Sequence, residues 1–335
     1  MRDRRGSVST IQRVLITGAS GKLGAPVCAA LVQAGYEVTA TRHRLPVDIA
    51  GAREIALDLR DAEAVERAAA EHDAILHLAT CKEDRAGVIE VSARGTFHLL
   101  DAAHRGGRCQ RFVLASGDAV NGIYFHRQPE PIREDRPLAA YPGYYPLSKV
   151  LEEALAQQYF HQYGLPTVVL RMSWIHAEDD ILNHLTVAGD NFGIPVWSEL
   201  MNDQQRSRYA AGRDAAVALR HPDGQPMRRH IVALEDCVQA HLLALERDTA
   251  VGQTFLIAMA QPFNYVETAN YLARKLGIDV LELTDSVGQD FCIDITRAQY
   301  VLGFQPQYDI YRLIDAAIAF RQAGQRRRAR SGYRG

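Results

Sequence analysis

The sequence predicts an α/β protein: a doubly wound parallel sheet with helices on both faces and a smaller, interleaved C-terminal α/β domain for a substrate. Three observations predict it. Short apolar runs alternate with helical patterns through the first two thirds of the 335 residues, and such alternation calls for parallel strands covered on both sides. The first apolar run opens into a glycine-rich loop, the position at which such sheets hold a phosphate. After Arg171 the rhythm breaks into a polar stretch punctuated by Gly and Pro, then resumes at His230, which points to a second unit threaded through the first.

Taken in order, Arg13–Thr17 (RVLIT) is an apolar run stopped by glycine and reads as a buried strand. Pro26–Ala34 reads as a helix ended by Gly35. Glu37–Thr41 and Glu54–Leu57 read as the second and third strands. Asp61–Glu71 is an alanine-rich helix with Asp61 placed to cap it. Ala74–Leu78 reads as the fourth strand and Val88–His104 as a long helix. Arg111–Ser116 is the expected fifth strand, Pro146–Tyr163 a helix with proline in its first turn, and Thr167–Arg171 the sixth strand. Residues 173–229 read as irregular. His230–Leu245 reads as strand then helix, with Glu235 and Asp236 as its cap. Thr254–Ile257 reads as a strand, and Tyr265–Leu276 and Ile310–Gln322 as closing helices. This assigns 11–172 and 230–258 to a dinucleotide-binding domain, 173–229 and 259–322 to a substrate domain, and 1–10 and 323–335 to flexible tails.

Composition removes several classes. With 47% hydrophobic and 23% charged residues the chain is an ordinary globular one. Its net charge of −2 hides basic ends of +3 (1–13) and +6 (321–335) around a body of −11, which argues against nucleic acid as a partner. No apolar run reaches the roughly 18 residues of a membrane span, and the basic N-terminus has no apolar h-region. Cys28, Cys81, Cys109, Cys237 and Cys292 are scattered and odd in number, the pattern of reduced thiols in a cytoplasm rather than of disulfides or zinc.

The loop Gly18-Ala19-Ser20-Gly21-Lys22-Leu23-Gly24 lies between the first strand and the first helix. Its glycines let the backbone approach a pyrophosphate while the helix start offers N–H groups and a positive dipole end. The absent G-K-[ST] ending excludes a nucleoside-triphosphate loop. At the end of the second strand, Arg42-His43-Arg44 stands where an acid would bind a ribose 2′-hydroxyl. Arginine suits a 2′-phosphate, so Arg42 favours NADP over NAD. Asp58-Leu59 ends the third strand, where an Asp accepts from the adenine amino group. Leu78-Ala79-Thr80 ends the fourth, with small residues that leave room for ribose and nicotinamide. Ala115, Met172 and Ser173, at the ends of the fifth and sixth strands, complete the expected cofactor contacts.

Tyr145 and Lys149 lie four apart at a helix start, hence on one face and about 6 Å apart along the axis. The ammonium stabilises a phenolate, so Tyr145 can exchange a proton with a substrate hydroxyl, and Lys149 can also hold the nicotinamide ribose. Tyr144 is the weaker candidate because Ser148 stands four residues after it.

The motifs TGASGKLG (17–24), DL (58–59), HLAT (77–80), FVLAS (112–116), YYPLSK (144–149), LR (170–171), HIVALEDCVQAHLLAL (230–245) and LGF-P (302–306) together resemble the extended short-chain dehydrogenase/reductase superfamily, in its NAD-dependent epimerase/dehydratase group. The resemblance implies a Rossmann domain, a small C-terminal substrate domain, and a homodimer through the helices near 88–104 and 146–163. It implies sugars, sugar acids or nucleotide-linked sugars as substrates, with steroid and flavonoid-type reductases also in the group. Three positions depart from the pattern. The usual catalytic hydroxyl falls on Gly117, which leaves three readings: Ser116, one residue early, serves as the third catalytic residue, Asp118 orients the substrate, or no third member exists. Ser92 stands where the family commonly has Asn, and Ser173-Trp174 where epimerases often have Asn-Pro.

On the substrate side, His176, Asp179, Asp180 and His184 have no recognised metal-ligand spacing. Asp179 or Asp180 as the cap of a helix from Ile181 is the favoured reading, with no metal and with His176 on the substrate cleft. Among Arg206, Arg208, Arg213, Arg228 and Arg229 one could bind a substrate carboxylate or phosphate, against a solvated face for any single one. The first functional reading is an NAD(P)-dependent dehydrogenase/reductase or epimerase acting on a small molecule; the alternative is a non-catalytic dinucleotide sensor.

Overall fold

Strands apolar on both faces must be covered on both faces, and the chain order supplies the covers. In a computed structural model, which describes residues 11–325 except 128, 190–192, 194 and 211, the first half runs β1 (Arg13–Thr17), α1 (Gly24–Gln33), β2 (Glu37–Arg42), β3 (Arg53–Ala56), α2 (Ala62–Ala70), β4 (Ala74–His77), α3 (Arg85–Gly87), α4 (Arg94–Gly106), β5 (Arg111–Gly117), α5 (Tyr144–Tyr163) and β6 (Thr167–Met172). Then follow β7 (Trp174–His176), α6 (Asp180–Leu185), α7 (Trp197–Leu200), α8 (Asp203–Tyr209), β8 (Ala215–Arg220), β9 (Arg228–Arg229) and β10 (Ile231–Ala233). The chain closes with α9 (Leu234–Glu246), β11 (Thr254–Ile257), β12 (Phe263–Asn264), α10 (Tyr265–Leu276), β13 (Asp279–Thr284) and α11 (Ile310–Gln322). Residues 1–10 and 326–335 of the expected tails lie outside the described residues.

The central sheet has seven parallel strands in the order β11-β6-β5-β4-β1-β2-β3. The period-2 alternation of β1 splits its apolar residues between two cores. Val14 and Ile16 join Val27, Leu31 and Cys237 under α1 and α9, whereas Leu15 joins Leu99, Leu100 and Phe112 under α4 and α5. The chain leaves β1 in opposite directions towards β2 and β4, so a crevice opens at the carboxyl ends of this pair.

A further core gathers Ile181, Trp197, Val217, Tyr265, Leu272 and Ile314. It rests on the parallel pair β8–β13, and the short pairs β7–β10 and β9–β12 lie beside it. β8 and β13 answer no sequence expectation: AAVALR carries too much alanine to read as a strand, and DVLELT buries only two of its side chains. The expected long helix also differs, because a π turn at Val88–Ala93 interrupts it. Asp61 caps α2 as expected, accepting from the Ala64 N–H at 3.0 Å. Glu235 and Asp236 do not cap α9, which has no side-chain cap. The Asp236 carboxylate instead accepts from the N–H groups of Gln307 and Tyr308 and ties down the approach to α11. No described helix is long and apolar enough to cross a membrane.

Candidate active site

The crevice is a cavity of about 1100 Å³ running from the glycine loop, past the ends of β4 and β5, to Ser173 and Arg229. Close packing dictates the glycines at its first end. Gly18 has φ +71°, and a Cβ there would come 2.6 Å from the Ala79 amide nitrogen. A Cβ on Gly24 would collide with the Gly18 carbonyl. No side chain caps the start of α1, so the positive end of its dipole is open towards an anion in the loop. A cradle that any side chain would fill, ending in an uncapped helix, fits the pyrophosphate of a dinucleotide.

Of the expected cofactor residues, Gly18, Ser20, Gly21, Lys22, Leu23, Gly24, Asp58, Leu59, Leu78, Ala79, Thr80, Ala115, Tyr145, Lys149, Met172 and Ser173 line this cavity. Two do not. Ala19 is buried in the core beneath α1. Arg42, expected at the 2′-phosphate position, donates instead to Glu54 Oε1 at 2.8 Å, and His43 and Arg44 take its place on the wall. Asp58 is gripped by Arg60 through Nε and Nη2, whose hydrogen bonds hold its carboxyl down at about 2, so it stays an ionised acceptor.

The chain has only four lysines among its 38 basic residues, and Lys22, Lys82 and Lys149 all line the cavity. Lys22 donates to the Ile175 carbonyl at 2.6 Å and pairs with Asp180 at 2.5 Å, linking the glycine loop to α6. Lys149, almost fully buried, donates to the Ala115 carbonyl at 2.9 Å and to Glu152 at 2.7 Å. Lys82 was not singled out from sequence, although it lies two residues beyond Thr80 at the sheet edge. Its ammonium is 5.6 Å from the Tyr145 ring centroid, and that of Lys149 is 5.8 Å from it. Burial first, then Lys22 and Lys149, pull Lys82 down to about 7. Two lysine ammonium groups therefore stand near the one phenol ring. Glu83 receives the Tyr144 and Tyr145 N–H groups and so fixes the start of α5.

Ser116 does not face Tyr145 with its hydroxyl. It donates to Glu153 Oε1 at 2.5 Å, and Arg171 grips the same carboxylate through Nε and Nη2. That buried pair needs every acceptor filled, which turns the serine inward. The position beside the phenol is Gly117, where a Cβ would stand 3.2 Å from Tyr145 Oη. Next to it, Asp118 lines the cavity and accepts from Ser173 Oγ at 2.7 Å. Burial pushes its carboxyl up to about 7, against the pull of Ser173 and Arg229.

At the far end Arg229 lies over Trp174 at 4.5 Å and over Tyr124 at 5.1 Å, and Tyr124 donates to Asp285 at 2.6 Å. Of the six arginines from 206 to 229 it is the one on the cavity wall. Arg206, Arg208 and Arg228 pair with surface carboxylates. His176 does not reach the cleft. It is buried, edge-on to Trp174 at 4.5 Å. Asp179 precedes α6 without a side-chain cap; it pairs with Arg321, while Asp180 accepts from the Ala177 N–H. Among the described residues no group of three or more His, Cys, Asp or Glu could hold a metal ion.

Comparison with known proteins agrees with this geometry. The chain is 31% identical to the L-arabinose 1-dehydrogenase (NAD(P)(+)) of Haloferax volcanii over 181 residues, 50% of this chain and 69% of that protein. It is 33% identical to the uronate dehydrogenase of Pseudomonas syringae pv. tomato over 164 residues, 48% of this chain and 58% of that protein. These two alignments thus span only part of each relative. A short-chain dehydrogenase/reductase superfamily protein from Agrobacterium tumefaciens, solved with bound NAD, superposes with a TM-score of 0.79 at 26% identity, covering 93% of this chain and 98% of that one. Residues 14–258 match the profile of the NAD dependent epimerase/dehydratase family. That match spans the glycine cradle, the Tyr145–Lys149 pair and nearly all of the seven-stranded sheet, and the protein belongs to that family of NAD-dependent enzymes.

Proposed function

We propose that the chain is an NAD(P)-dependent oxidoreductase that acts at a secondary alcohol or ketone of a sugar-like small molecule, with Tyr145 as the acid/base. The observation that carries this reading is the Tyr145 phenol on the cavity wall, its ring near the ammonium groups of Lys82 and Lys149. When bound, the nicotinamide supplies the hydride chemistry. The loop amides would hold the pyrophosphate, Asp58 and Leu59 would receive the adenine end, and Lys149 would hold the ribose. Tyr145 Oη takes the proton of the substrate hydroxyl in oxidation and returns it in reduction. With no hydroxyl at Gly117, Asp118 serves as the neighbouring hydrogen-bond partner of the substrate, since its carboxyl titrates near neutrality.

Arg229, held flat by two rings, suits a carboxylate or phosphate on the substrate, and we infer an acidic sugar; the uronate dehydrogenase relative is in keeping with that. His43 and Arg44 support NADP(H) over NAD(H). The core around Trp197 and Tyr265 makes up the substrate-holding unit, and the outer faces of α4 and α5, with Phe97 and Tyr163 exposed, are where we expect a second copy to dock. The test is a scan of aldoses, uronic acids and sugar phosphates with NAD(H) and NADP(H), following reduced-cofactor absorbance. Tyr145→Phe is expected to lower kcat by about 10²–10⁴-fold; unchanged turnover would remove the acid/base assignment.

A further inference from the structure

The two adjacent carboxylates of α5 are both fully buried, and they are used differently. Glu153 belongs to Arg171 and Ser116. Glu152 is bonded to Lys149, its Oε2 accepting from Nζ at 2.7 Å. An ammonium has three N–H donors. Here one goes to Glu152 and one to the Ala115 carbonyl at 2.9 Å, which leaves one for the cavity.

The charged surroundings explain why such a partner is needed. Lys22, Lys82 and Lys149 line one cavity, and the charges of Lys22 and Lys149 both act on Lys82. His77 on β4 is held neutral, its imidazole pushed down to about 3 by burial and then by Lys149. Tyr145 shares the helix, and Glu153 is already neutralised by Arg171. From the π turn, Ser92 lies beside Glu152 and accepts from the Cys81 N–H at 3.0 Å. Glu152 is thus a carboxylate hydrogen-bonded to one lysine of a three-lysine cavity. Burial penalises an ammonium unless a counter-charge is fixed to it, and Lys149 has 3% of its surface exposed.

We propose that Glu152 is a positioning residue for the reaction: it keeps Lys149 protonated and clamps its ammonium at the Ala115 carbonyl, so that the remaining N–H is presented to the cavity beside Tyr145. This rests on the reading of Tyr145 as acid/base, and the test separates the two. The four lysines of the chain give four side-chain signals after ¹³C-lysine labelling, with Lys149 assigned by Lys149→Arg. In Glu152→Gln the Lys149 signal is expected to titrate about one pH unit or more below wild type. The pH at which alcohol oxidation turns on is expected to move upward by a similar amount, because Tyr145 loses its ammonium neighbour. Glu152→Asp, which keeps the charge on a shorter arm, moves both in the same direction by less and provides the comparison should the glutamine variant fold poorly. A Lys149 titration unchanged in Glu152→Gln and Glu152→Asp overturns the proposal even when Tyr145→Phe is inactive. A turnover-competent Tyr145→Phe overturns the acid/base reading instead and leaves the lysine titration to be judged alone. A lower melting temperature with both titrations unmoved would reduce Glu152 to a structural residue and also overturns the proposal.

Discussion

The two ends of the cavity are built from different materials. At the glycine end the wall is backbone: Gly18 against Ala79, Gly24 against Gly18, and the uncapped start of α1. At the far end it is side chain: Asp118 on Ser173, and Arg229 between Trp174 and Tyr124. A backbone wall has one shape and tolerates no added atom. A side-chain wall is set by charge and hydrogen bonding, so it can be retuned one residue at a time. The first kind suits a ligand shared by a whole family, the second a substrate peculiar to one chain.

Substitutions at each end sharpen the contrast. Arg229→Ala removes the charged group of the far wall. With a charge-assisted bond worth about 1.5–3 kcal/mol, kcat/KM for an acidic sugar should fall by about 10–100-fold, while cofactor affinity, measured by fluorescence quenching, stays within twofold or so. An equal loss for neutral and acidic sugars would break the comparison. Gly24→Ala acts the other way. Its methyl group would meet the Gly18 carbonyl, so a loss of about 1–3 kcal/mol of stability is expected, seen as a lower denaturant midpoint together with weaker cofactor binding.

The smallest effect concerns pH. The Asp118 carboxyl is raised from an ordinary 3.8 to about 7 in the folded chain, so between those values the folded state holds a proton that the unfolded state has released. Stability from this group is therefore complete below about pH 4 and is lost as pH rises through about 7. Asp118→Asn abolishes that loss. Its melting temperature relative to wild type should climb between pH 4 and 7, and a difference that stays flat would show that Asp118 is not the group responsible.

The same division explains what could be read in the sequence. Glycine spacing, strand alternation and the four-residue interval from Tyr145 to Lys149 are local, and each leaves a mark in a short window. The β1–β6 strands and the helices covering them were legible for that reason. The far wall depends on which way side chains turn across long separations. Ser116 and Gly117 are neighbours, yet the inward pull of Glu153 and Arg171 decides which of them faces the phenol. Six arginines from 206 to 229 look alike in sequence until Trp174 and Tyr124 select Arg229. Arg42, expected from its place at a strand end to meet the cofactor, does not line the cavity because Glu54, twelve residues on, claims its guanidinium.

The scarcity of lysine has a practical edge. Basic charge on the outside of this protein is almost wholly guanidinium, and outside the cavity the described residues hold a single lysine, Lys275, on α10. Reagents that acylate or reductively alkylate amines, which on most proteins scatter over the surface, are here directed towards the crevice. Lys82, pulled down to about 7 by burial and by its lysine neighbours, is an amine they would meet in its nucleophilic form.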